Sequence, residues 1–323
     1  MRHTKKRALW SITGLLFASI GLAEEYDYEL GIAFNSSDFE GSQTTTTNLG
    51  TVFSSTEVEA DDLSLSGSWY FKGLSDDKGP RARATLVDRA SSLTVGYSRA
   101  DQTISTTLTS SDPAFPFPPL DSKFDADADT FAVNFRYVDR DSGWIGNAGL
   151  LTTKTSIGGP ANSSADATGW RLGVGKYLLE NTTLGLDVSQ VNVDGGSDAT
   201  VIAVAFEHLG DVGEQWQYAV DIGFSRADAD GSSDVDIWRA ALSLYPTRDF
   251  EFGVAVEDLS GGIAGQDNLG FEGFASWFVS PNVRLSARYR VDDVDYLGGV
   301  SIGGTSTSSA DQDSFGIGAS VRF

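Results

Sequence analysis

The chain has 323 residues, with 45 acidic against 23 basic ones, a formal net charge of −22 and no cysteine. Disulfide scaffolds, thiolate metal centres and cysteine nucleophiles are therefore excluded, and so is a basic nucleic-acid surface. Aromatic residues make up 11% and glycines number 36, too much apolar and turn-forming content for a disordered acidic chain.

At the start, Arg2, Lys5, Lys6 and Arg7 precede an apolar run that begins at Ala8 and ends in Gly21-Leu22-Ala23. A basic start, a short apolar middle and small residues before a cleavage point predict a secretory signal peptide. The run is shorter than the roughly 20 residues a spanning helix needs, and Glu24 and Glu25 follow it. The expected division is a signal peptide over 1–23 and one mature domain over 24–323.

From Tyr26 onward the period is two. Tyr26, Tyr28, Leu30, Ile32 and Phe34 share one face of an extended strand, and Asp27, Glu29, Gly31 and Ala33 share the other. The pattern recurs at 63–71, 131–138, 216–225, 250–257 and 283–291, with less regular segments at 91–103, 144–155, 168–178, 183–193, 199–208, 235–245, 268–279 and 313–323. That makes about fourteen strands, each near the roughly 10 residues of a tilted membrane-spanning strand.

Connections at 139–143, 180–182, 210–214, 246–248 and 280–281 are short, whereas 35–60, 110–129, 157–167 and 293–312 read as long loops. Trp69, Trp144, Trp216 and Trp277 lie beside the short connections and Trp170 and Trp238 at the opposite ends, as two interfacial girdles require. A soluble β-sandwich also alternates but seldom places aromatics at both ends of its strands. The fold expected is all-β, a transmembrane antiparallel up-and-down barrel. One connection departs from the scheme. The stretch 73–90 is long for the short-turn side, and Pro80 before Arg81 suggests a short helix there. An extra hairpin hidden at 73–90 or 44–58 would raise the count to about sixteen.

Small inward residues, among them Ser64, Ser66, Gly173, Gly253 and Gly316, predict a water-holding lumen. Charges face it as well: Arg284, Arg288 and Arg290 on the penultimate strand, Arg322 on the last, Asp27 and Glu29 on the first, and Glu251 and Glu257 two strands before the arginines. Arg322 is expected to pair near Asp27, leaving Arg288 and Arg290 free to bias permeation; pairing of all the charges along the wall is the alternative. Phe115 and Phe117, in a proline-rich loop, are candidate constriction residues or part of a stiff rim. Asp228, Asp230, Asp234 and Asp236 should project outward above the lipid as a solvated rim, or bridge divalent cations to lipopolysaccharide phosphates.

Catalytic chemistry finds no footing. His208 is the one histidine after residue 23 and shares the outward parity of Ile202, Val204 and Phe206. Adjacent acids such as Asp61 and Asp62, or Asp76 and Asp77, point apart on an extended chain. No catalytic residue, metal or cofactor is expected.

The last strand places Phe315, Ile317, Ala319, Val321 and the final Phe323 on one face. It resembles the C-terminal signature of Gram-negative outer-membrane β-barrels, in which alternating apolar residues and a last aromatic are read by the barrel-assembly machinery. With the signal peptide, the chain is similar to porins. That resemblance implies residence among outer-membrane lipid and lipopolysaccharide, and passive diffusion of small hydrophilic solutes or ions. A closed structural or adhesive barrel displaying acidic loops is the alternative.

Overall fold

The computed structural model describes residues 25–47, 50–75, 79–110, 119–158, 163–196, 198–229, 234–261, 266–296 and 304–323. The expectations for the signal peptide, for Phe115 and Phe117, and for Asp76, Asp77 and Asp230 lie outside these residues.

The strands are β1 (Glu25–Thr47), β2 (Gly50–Ser75), β3 (Ser92–Ser110), β4 (Leu120–Val138), β5 (Trp144–Ile157), β6 (Ser163–Leu179), β7 (Thr182–Val193), β8 (Ala199–Val212), β9 (Trp216–Ala229), β10 (Val235–Thr247), β11 (Phe250–Gly261), β12 (Gln266–Ser280), β13 (Val283–Tyr296) and β14 (Gly304–Arg322). Each pairs antiparallel with its chain neighbours, and β1 also pairs with β14, closing a barrel of fourteen strands. Closure leaves no lipid-exposed edge, which a membrane-spanning sheet requires. No extra hairpin appears among the described residues. Residues 44–47 and 51–58 are the continuation of β1 and β2, and 81–87 form a 3-10 turn (Arg81–Arg83) followed by a one-turn helix, α1 (Ala84–Val87).

Alternation sorts the side chains as the period of two demands. Leu65, Trp69, Phe131, Leu150, Leu172, Val254 and Phe271 are exposed on the outside, where lipid replaces a protein core. Near the short-turn end Tyr28 stacks on Trp69 with ring centroids 6.4 Å apart, and the Lys176 ammonium lies 5.0 Å over the Trp144 ring. Such amphipathic groups suit the membrane interface.

Two corrections concern strand ends. The segments read as long loops are largely strand: β1 and β2 run for 23 and 26 residues, and β3, β4 and β14 for 19 each, against 12 for β7 and β11. Serine- and threonine-rich stretches carry no hydrophobic alternation, yet β-branched residues suit an extended ladder above the lipid. The second correction concerns Tyr26. A register shift between Tyr26 and Tyr28 turns Tyr26 into the barrel, where it is buried edge-on against Tyr70. Asp27 sits in that bulge, exposed, rather than on the lumenal row.

The seam ends on Phe323, whose carbonyl accepts the N–H groups of Asp27 and Tyr28 at 3.2 and 3.0 Å and whose ring stacks 5.9 Å from Tyr28. Deleting Phe323 is expected to slow barrel closure and lower the folded fraction, read as loss of the fast-migrating band in unboiled gel samples over a refolding time course.

Candidate functional site

The site starts from a connection that should be a tight turn. Between β2 and β3, Pro80 opens the 3-10 turn and α1 follows, with Ala84, Leu86 and Ala90 buried. In water these apolar side chains need cover, and they find it inside the barrel. Leu86 packs with Val138, Ile145, Tyr177, Leu209, Ala219 and Tyr245 from β4, β5, β6, β8, β9 and β10. Ala84 and Ala90 pack with Tyr26, Tyr70 and Leu74. Burying a leucine in this way contributes roughly 1.5–3 kcal/mol.

Polar bonds fix the segment across the mouth. Arg83 donates to Asp221 Oδ2 at 2.6 Å, to Glu207 Oε1 at 2.6 Å and to the Tyr245 hydroxyl at 2.7 Å. Asp221 lies on β9, seven strands from β2 in either direction round the ring. A group that leaves β2 and bonds to β9 must cross the whole lumen. Burial works against the Arg83 charge, but its hydrogen bonds to Asp221 and Tyr245 outweigh that and raise its pKa above the ordinary guanidinium value. Arg81 pairs with Asp249, its carbonyl accepts from Arg322 Nη1 at 3.1 Å, and the Tyr177 hydroxyl donates to the Leu86 carbonyl at 2.9 Å. The lumen expected to be open is thus occupied at its short-turn end by 79–90.

The candidate charges form pairs. Arg322 bonds Glu29 Oε2 at 2.8 Å, because these two are cross-strand partners, while Asp27 is displaced by the bulge. Glu251 accepts from Tyr245 at 2.7 Å and from Ser276 at 2.8 Å, with Arg284 3.9 Å away. Glu257 lies between Arg290 at 2.8 Å and Arg239 at 3.5 Å, and Arg290 also holds Asp292 at 2.6 Å. Arg290 is therefore not the free cation expected. Its partners come from β11 and from its own strand two residues on, neither of which the first strand's reach could reveal. Arg288 is exposed and donates to Asn35 Oδ1 at 2.8 Å, while Asn35 Nδ2 donates to Asp62 at 3.0 Å, an ion pair relayed through an amide. Sequence reasoning missed Arg83, Glu207, Asp221, Arg171 and Asp187; the last two pair at 2.9 Å across β6 and β7.

Small inward residues do not by themselves mean open space. The Asp187 carboxylate occupies the position a Gly173 side chain would take, and Asn35 and Arg288 do the same at Gly316. Elsewhere, His208 faces outward with the Thr182 hydroxyl at 2.8 Å and the Tyr218 hydroxyl at 3.3 Å. Asp236 is held by Arg226 through two 2.7 Å bonds. No group of three or more histidine, aspartate or glutamate side chains among the described residues is placed to hold a metal ion.

No protein-family model matches the sequence, and no curated protein matches it. Solved structures do. A deletion mutant of the monoaromatic hydrocarbon channel TodX is 12% identical, with 92% of this chain and 91% of that one covered and a TM-score of 0.55. A second TodX deletion mutant is 12% identical over 93% of this chain and 91% of its own, with a TM-score of 0.54. Omp33 of Acinetobacter baumannii is 14% identical over 93% of this chain and 99% of its own, with a TM-score of 0.47. At such identities the likeness concerns the fold: this chain has the closed β-barrel fold of outer-membrane channels.

Replacing Arg83 by alanine leaves Asp221 and Glu207, both partly exposed, without their cation and should loosen 79–90 by about 1.5–3 kcal/mol. Leu86→Ala should cost a similar amount, about 2–4 kcal/mol. Both are expected to speed amide exchange at 81–90 while exchange in β8–β11 stays slow.

Proposed function

We propose that this protein is a plugged outer-membrane channel that passes small hydrophilic solutes or ions when the 79–90 segment leaves the short-turn mouth. The observation that carries the reading is the bond from Arg83 to β9, since an element holding the opposite wall obstructs anything that passes. A barrel of this strand number has room for water once nothing fills it. The fastening combines the apolar burial of Leu86 with ion pairs that stay partly exposed, and the ionic part responds to salt and field more readily than the apolar core does. A second element is the lumenal wall. Most of its arginines are neutralised by neighbours, and Arg288, tied to an amide, is the one best placed to act on a passing ion.

In planar bilayers the wild-type protein should show rare, small openings. A variant with residues 80–89 replaced by a short Gly-Ser turn should show stepwise ohmic conductance. Silence of that variant, with folding established by gel mobility, would favour the closed structural barrel. In the same background Arg288→Glu should move the reversal potential toward cations with little change in melting temperature. Arg290→Glu should instead destabilise the wall, because it sets a third acid against Glu257 and Asp292.

A further inference from the structure

Above the lipid-facing belt, β14 and β1–β4 continue as a five-stranded wall taller than the rest of the barrel. Its two faces differ completely in charge. Asp38, Glu59, Asp61, Asp101, Asp125 and Asp127 share the outward parity of Phe34, Leu63, Tyr97 and Phe131, and the paired partners Asp61, Asp101 and Asp127 lie side by side. Over the same height the described inward side chains of β1–β4, beyond Asn35 and Asp62, carry no charge.

Across that uncharged face runs one apolar row. Phe39 is opposite Val58, Val58 opposite Ile104, and Ile104 opposite Phe124, four neighbouring strands in register, with Gln312 beside Phe39 on β14. The adjoining row is hydroxylic, with Thr56 and Thr106 3.3 Å apart. A Cβ at Gly41 would come within 3.0 Å of the Phe39 ring, so the glycine leaves room for that ring to lean along the wall. The 3-10 turn and α1, the described elements that could form a second layer, lie at the other end of the barrel.

This composition selects its ligand. An anion meets no cation there and is repelled through the thin sheet by the acids behind it; a cation finds no carboxylate on the row to replace the water it would shed. A neutral molecule with a flat apolar group gains burial on the row, and hydroxyls on it meet Thr56, Thr106 and Gln312. We propose that the row Phe39–Val58–Ile104–Phe124 is a binding site for uncharged amphipathic solutes that combine a planar apolar group with hydroxyls, the chemistry of an aryl glycoside. The site stands on the wall alone and does not depend on movement of the plug.

The test uses the full-length protein in nanodiscs with phenyl β-D-glucoside as probe, followed by saturation-transfer NMR, so channel activity plays no part. Saturable binding is expected, at least tenfold weaker in the double variant Phe39→Ser with Phe124→Ser, and weakened in Gly41→Val, which displaces the ring but keeps every apolar group. Phenyl phosphate and benzylamine should compete poorly. Absence of saturation, affinity unchanged in both variants of normal gel mobility, or equal competition by the charged analogues would overturn the proposal. So would binding that emerges only after deletion of residues 111–118, or a dimer abolished by the serine variants, since the row would then be covered by the chain itself or by a second copy.

Discussion

The closing ladder between β1 and β14 is the constraint on which the rest depends. It runs from Glu29 opposite Arg322 to Thr47 opposite Gly304 without a shift. In a bilayer each unpaired backbone group costs several kcal/mol, so the chain either closes or does not insert. Closing also sets parity for every strand. A slip of one residue at the seam would turn Arg322 toward lipid and Phe323 and Val321 toward the lumen. The Glu29–Arg322 pair, with the Arg322 guanidinium 4.6 Å over both the Tyr26 and Phe278 rings, works against that slip.

The plug follows from the same parity. Once apolar faces turn outward, most of the lumen is polar, and a connection carrying Ala84, Leu86 and Val87 finds apolar cover at the short-turn end it springs from, where Val138, Ile145, Leu209 and Tyr245 point inward. The arginines of that connection then meet carboxylates the wall already carries. Were the segment to withdraw, Glu207 and Asp221 would face water, where solvation replaces the lost cation at modest cost. Solvation of the two carboxylates thus offsets part of the cost of withdrawal, while the burial of Leu86 against Leu209 and Tyr245 is lost outright and holds the mouth closed at rest.

How far the sequence reveals this depends on where the physics is local. Alternation is local, so the strands, their faces, the even count and the tryptophan girdles are legible. Strand ends are less so, because 103–110 and 51–56 look like polar loop until their neighbours are known. Charge pairing is non-local: Arg290 and Glu257 share a strand face only through the β11–β12–β13 register, and Arg83 meets Asp221 only across the diameter. The bulge at Tyr26–Tyr28 has no compositional mark. The plug had one, since apolar Leu86 and Val87 in a connection exposed to water are a conflict that only burial resolves.

The tall wall holds a related conflict. Asp61, Asp101 and Asp127, aligned on adjacent strands, repel one another, and Arg99 offsets part of this at 3.2 Å from Asp101 and 3.6 Å from Asp127. A sheet that keeps such repulsion must gain elsewhere. Part of the gain is protection of an edge. β5 ends at Ile157, opposite Ala126, so among the described residues β4 from Leu120 to Phe124 carries a ladder on its β3 side and no partner strand on the other. An open edge with Leu120 and Phe124 on it invites another strand. Asp121, Lys123 and Asp125 alternate with them along that edge, so an added strand must set its own side chains against charge on one face even as it finds apolar partners on the other. Outer acidity thus keeps the wall from extending by strand addition, and it is this that allows the inner face to remain uncharged and apolar in water.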